Sequence, residues 1–89
     1  DSEVAESEAQ LRPKLELGRQ ILDLRLARGW TQKDLAQRAG TKQANISRLE
    51  NGLLNPSVDM LQKVAEALDV ELSVTLEAAG QRHEASALP

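Results

Sequence analysis

The sequence contains no cysteine, no tyrosine and no phenylalanine, and its single histidine is His83. Without cysteine there is no disulfide, no thiolate zinc site and no cysteine nucleophile, which fits a reducing cytoplasm. His83 has no partner at metal-ligand spacing. No Gly-rich phosphate loop or nucleophile elbow is present. An enzyme is therefore not expected, nor a bound metal, nor a cofactor. No apolar run approaches the roughly 18 residues of a membrane span. No charged-then-apolar leader is visible, and a cytoplasmic location is expected. The chain opens on Asp1 rather than Met, which leaves room for residues before it. At 89 residues it reads as one domain with a small core, which a dimer or partner would help to complete.

The net charge of −3 argues at first against a nucleic-acid partner, but its distribution argues the other way. Residues 1–11 hold Asp1, Glu3, Glu6 and Glu8 with no base, for −4. Residues 12–48 hold nine bases against Glu16, Asp23 and Asp34, for +6. Residues 49–89 hold Lys63 and Arg82 against seven acids, for −5. A basic middle between acidic ends is the pattern of a local polyanion-binding face, or more plainly of solvated helix surfaces.

An acidic segment over 1–12 reads as a weak helix or an arm. Pro13 suits the first position of a helix. Leu15, Ile21, Leu22, Arg25 and Leu26 then recur at helical spacing up to Arg28, and Gly29 ends the helix. Thr31 is a strong N-cap, with Asp34 able to reach back to it. Trp30 and Leu35 stand at the spacing of a hydrophobic staple. This helix runs to Ala39 and stops at Gly40. Thr41 can cap the next helix at once, which Asn51-Gly52 ends. Ser57 caps a further helix that buries Leu61, Val64, Ala65 and Leu68.

The period then changes. Val70, Leu72, Val74 and Leu76 alternate with Glu71, Ser73, Thr75 and Glu77, which reads as a strand over 70–77. A lone strand lacks a ladder, so pairing with the same strand of a second copy is expected. The other reading is an extended segment packed on the helices. Residues 78–89 read as a mobile tail.

Function is most legible in Trp30–Gly52. Two short helices joined by a tight glycine turn form a helix-turn-helix unit. Ala36 is small where the helices cross, and Ile46 and Leu49 anchor the second helix from below. Gln43, Ala44, Ser47 and Arg48 are then left on one outward face. Glutamine and arginine can pair bidentately with adenine and guanine edges. The first turn of such a helix enters the major groove.

This stretch closely resembles the helix-turn-helix of lambdoid phage repressors and the wider Xre-type regulator family. The matching residues are Thr31-Gln32, Leu35-Ala36, Gly40-Thr41, Gln43, Ile46 and Leu49-Glu50-Asn51-Gly52. The likeness continues through Asn55-Pro56-Ser57 and Leu61, Ala65 and Leu68 to about Val70. It implies an all-α, five-helix repressor-like domain over 13–69. It also implies Gln32 as a phosphate clamp, with Arg25, Arg28, Thr41 and Asn51 among the phosphate-facing residues. Lys42, Gln43, Ala44 and Arg48 take base-reading positions, with Ser47 beside them. Arg25 and Glu50 match a family ion pair that ties the first helix to the recognition helix. Ala44 departs from the pattern, since related repressors often carry a polar reader there.

The layout also resembles the antitoxins of HigA/HigB-type toxin–antitoxin pairs, through the acidic start and the strand Val70–Leu76. That likeness implies a dimer that represses its own operon and neutralises a HigB/RelE-like mRNA-endonuclease toxin, a small basic protein. The alternative is a stand-alone repressor of operator DNA without a toxin. Such a repressor is expected to carry a further sensing domain, for which no room is expected after Leu76.

Overall fold

Helix ends organise this chain. In the computed structural model, which describes the backbone of residues 2–76 and the side chains of 12–76, four helices follow in order. They are α1 (Ser2–Ala27), α2 (Gln32–Ala39), α3 (Gln43–Glu50) and α4 (Val58–Ala67). Each is closed by a backbone bond from two or three residues past its end to a carbonyl five residues earlier. The donors and acceptors are Trp30 to Arg25, Thr41 to Ala36, Leu53 to Arg48 and Val70 to Ala65. This closure places the residue before each donor in the left-handed region. Gly40, at φ +72°, does so without strain between α2 and α3. After α4 the same place is held by Asp69 at φ +57°.

The starts of α2 and α4 follow the sequence. Thr31 Oγ1 accepts from the Asp34 backbone N–H at 3.0 Å, and the Thr31 N–H donates to Asp34 Oδ2 at 2.9 Å. Ser57 Oγ accepts from the Met60 N–H at 3.1 Å. The start of α3 does not follow it. Lys42, not Thr41, stands at the N-cap, and it makes no side-chain cap bond. The Thr41 hydroxyl is engaged elsewhere, by Asn45 Nδ2 at 3.0 Å.

Two further expectations change. Pro13 lies inside α1 rather than at its start, so the acidic segment and the first domain helix are one element. Proline removes one backbone donor there and costs about 3 kcal/mol in a helix interior. The helix continues across it because Ser2–Arg12 is dominated by Glu, Ala, Gln and Leu, all good helix formers apart from the two serines and Val4. Within the expected five-helix domain, four helices and not five are found among the described residues.

The inward stripe of α1 is Leu17, Ile21, Leu24 and Arg25. Leu15 and Leu26, expected inside, are 45% and 57% exposed. Helical periodicity admits both stripes, and Gly18 selects between them. A Cβ on Gly18 would lie 2.5 Å from Leu49 O and 2.7 Å from Glu50 O. Only glycine lets α1 settle this closely on the end of α3.

The core gathers where the helices meet. Leu35 of α2, Ile46 of α3 and Leu68 after α4 are its fully buried side chains. Ile21, Ala36, Ala39, Leu49 and Val64 surround them. Burying a Leu or Ile contributes roughly 1.5–3 kcal/mol, so these three anchor α3 to the rest.

Val70–Leu76 forms no helix and no ladder among the described residues, so the expected strand is not found there. Leu72 is half-buried, at a cavity of about 340 Å³ between α1 and α4. Val74 and Leu76 beyond it are exposed. The expected tail over 78–89 lies outside the described residues.

Candidate nucleic-acid interface

The recognition face is built from below. Ile46 and Leu49 are buried, which fixes the rotation of α3 about its axis. Lys42, Gln43, Ala44 and Arg48 are then exposed, and Ser47 is half-buried among them. All five expected reading residues therefore lie in the first two turns of one helix or at its N-cap. The first turn of α3 carries no acid. Its leading N–H groups meet no capping side chain, which leaves the positive end of the helix open to an anion.

The expected phosphate residues are more varied. Thr41 is half-buried, and its hydroxyl accepts from Asn45. Asn51 Nδ2 donates to the Ser47 carbonyl at 2.7 Å and so closes the far end of α3. Arg28 donates from Nη1 to the Leu24 carbonyl at 3.3 Å. Gln32 opens α2 and is half-buried.

Arg25 is buried, and it donates from all three of its nitrogens. Its Nε donates to Glu50 Oε2 at 2.7 Å and its Nη2 to Glu50 Oε1 at 3.0 Å. Its Nη1 donates to the Trp30 carbonyl at 2.8 Å. The pair is 10% and 4% exposed on its two side chains. This geometry supports the ion-pair role of Arg25, since its guanidinium already has three acceptors. The hydrogen bond to Glu50, followed by the attraction of that charge, holds the Arg25 pKa above its ordinary value despite burial. Glu50 Oε1 also accepts from Gln32 Nε2 at 3.0 Å. One carboxylate thus joins α1, α2 and α3.

Several of these features were not read from the sequence. The Gln32–Glu50 bond, the Trp30 carbonyl beneath Arg25 and the Asn45–Thr41 bond all depend on tertiary placement. Gly18 did leave a signal, because a glycine inside a helix costs about 1 kcal/mol and asks for a reason. Trp30 packs against the core, as a staple residue should. Arg38 lies 4.2 Å above its ring, a cation–π contact.

Comparison with known proteins agrees with this geometry. A helix-turn-helix family model matches residues 21–74. The competence pilus inhibition repressor of Acinetobacter baylyi is 39% identical over 59 residues, covering 66% of this chain and 54% of that protein. The antitoxin HipB of Escherichia coli O6:H1 is 45% identical over 53 residues, 60% of this chain and 54% of the relative. The regulator SinR of Bacillus subtilis is 33% identical over 69 residues, 76% of this chain and 60% of the relative. The chain thus spans little more than half the length of these relatives. A solved structure, the restriction-modification controller protein C.AhdI from Aeromonas hydrophila, superposes with a TM-score of 0.65 at 32% identity. The match covers 66% of this chain and 89% of that one. With its recognition helix, its capped turn and this breadth of match together, the chain belongs to the Xre-like helix-turn-helix family of DNA-binding regulators.

Proposed function

We propose that this protein is a dimeric transcriptional repressor that reads operator DNA through the exposed face of α3. The carrying observation is that Lys42, Gln43, Ala44 and Arg48 are exposed together while Ile46 and Leu49 lock the helix beneath them. Arg48 and Gln43 read base edges, and the Ala44 methyl meets a thymine methyl. Gln32, Arg28, Thr41 and Asn51 set the register on the phosphates, which carry no base information. Two copies pair through Val70–Leu76, with Leu72 and Val74 at the centre. That pairing sets the two recognition helices about one turn of duplex apart.

Antitoxin activity is the second reading, and the HipB relatives favour it. In it the same dimer also binds a small basic toxin protein, of the mRNA-endonuclease type that the layout suggests. The repressor and controller relatives fit operator binding without a toxin.

The deciding experiment is a pull-down of the tagged protein from its native host at salt high enough to strip DNA. A stoichiometric small basic protein supports the antitoxin reading. Recovery of the protein alone, as a dimer that retards its own promoter fragment, supports the stand-alone repressor. Failure to bind any duplex at low salt would remove both.

A further inference from the structure

Glu50 stands where helix electrostatics oppose it. It is the last residue of α3, and an acid in a last turn meets the negative end of the dipole. Its side chain is nevertheless almost wholly buried. Arg25 supplies two of its hydrogen bonds, one to each carboxylate oxygen, within a buried ion pair. Gln32 supplies the third, on Oε1. An ionised carboxylate can only accept. Gln32 is therefore obliged to turn its amide nitrogen, not its oxygen, toward Glu50. The amide nitrogen carries two hydrogens, and one remains free of Glu50. An N–H, unlike the amide oxygen, can bond a phosphate.

We infer that Glu50 is a positioning residue for DNA binding, holding the Gln32 carboxamide in the orientation that offers an N–H to a backbone phosphate. The inference rests on the reading of Gln32 as a phosphate contact. It gives Glu50 a task beyond its pair with Arg25. A free glutamine amide samples both orientations and several rotamers, and binding would have to freeze them. The Glu50 bond removes much of that loss beforehand.

The test separates positioning from stability. Arg25→Met with Glu50→Leu replaces the pair by apolar groups of similar size and leaves net charge unchanged. Such replacements of buried pairs are often neutral or stabilising. Gln32→Met removes the amide alone. Binding is read by fluorescence anisotropy on a labelled random-sequence duplex of about 20 base pairs at fixed low salt. Gln32→Met is expected to weaken binding about ten-fold or more, the worth of one hydrogen bond to a charged acceptor. The paired replacement is expected to weaken it by a similar factor with its melting curve close to wild type. Adding Gln32→Met to that background is expected to change binding less than about two-fold, since the same contact is already lost.

A measurement on wild type needs no substitution. The Gln32 side-chain amide is expected to exchange with water more slowly than those of the exposed Gln20, Gln37 and Gln43. The inference is overturned if Gln32 exchanges as fast as those three. It is equally overturned if the paired replacement binds like wild type, or if Gln32→Met has the same effect in both backgrounds. A wild-type chain that ignores the duplex would instead remove the DNA-binding reading on which the inference rests.

Discussion

Replacing Gly18 by alanine sets two effects of opposite sign against each other, and the structure says which prevails. Helix propensity favours alanine by about 1 kcal/mol. It also lowers the entropy of the unfolded chain, in the same direction. Against this, the new Cβ would sit 2.5 Å from Leu49 O, 2.7 Å from Glu50 O and 2.9 Å from Glu50 C. All three are backbone atoms, so no side chain can swing aside. Ordinary contact begins near 3.4 Å, so α1 has to lift by almost an ångström. Overpacking of this kind costs about 1–3 kcal/mol. Lifting α1 also stretches the Arg25–Glu50 bonds of 2.7 and 3.0 Å, each worth about 1.5–3 kcal/mol when a charged group is involved. The net expectation is a loss of about 2–4 kcal/mol. A domain of this size holds only about 5–10 kcal/mol, so the loss is a large fraction of the whole. At roughly 4–8 °C per kcal/mol, Tm falls by at least about 8 °C. Urea unfolding and far-UV circular dichroism melts measure both quantities. Glu16→Ala compared with Glu16→Gly, at an exposed position of the same helix, calibrates the propensity term. A Gly18→Ala chain as stable as wild type would refute the reasoning, because propensity would then outweigh the close approach.

Other consequences are simpler. Asp69→Gly relieves a left-handed aspartate and removes an acid just past the end of α4, so Tm is expected to rise by a few degrees, and a fall would contradict the strain. The Asp34 carboxyl is held below its ordinary pKa by the Thr31 backbone N–H and then by the Thr31 hydroxyl. A depressed folded pKa gives stability that is present above the unfolded value, near 3.9, and lost as pH falls through the folded one. Asp34→Ala, which removes the titrating carboxyl itself, is therefore expected to flatten the loss of stability below about pH 4 in acid titrations, and an unchanged slope would exclude the capping box as its source. Arg48→Ala is expected to relax specificity at one base pair by about 1–3 kcal/mol, while equal losses on operator and random duplex would make Arg48 a phosphate contact. Leu72→Asp with Val74→Asp is expected to give a monomer in analytical ultracentrifugation, and a surviving dimer would place the interface elsewhere.

Local chemistry was the most legible part of the sequence. The Thr31–Asp34 capping box, the Ser57 cap and the glycine ends follow from short-range bonding rules, and they stand where those rules put them. The Arg25–Glu50 pair came from family likeness, since no pattern of spacing joins residues 25 positions apart. The α1 stripe was half legible. Periodicity shows a helix, but Leu15, Leu22 and Leu26 satisfy it as well as Leu17, Ile21 and Leu24 do. Choosing between them requires knowing that Gly18 rests on the end of α3. Pro13 misled because position-specific rules describe where proline is favoured, not where neighbouring residues can override it. For Val70–Leu76, alternation marks two faces without saying what covers either.

Selection from a random duplex library shows whether α3 reads sequence. Wild-type protein is expected to enrich an inverted repeat with half-sites about one helical turn apart. That duplex is expected to bind at least about 1,000-fold more tightly than a scrambled one at physiological salt. Selection with Arg48→Ala is expected to lose its preference at one position of each half-site and keep the rest. If no sequence is enriched, or if Arg48→Ala and wild type select the same one at every position, α3 does not read bases in the way described.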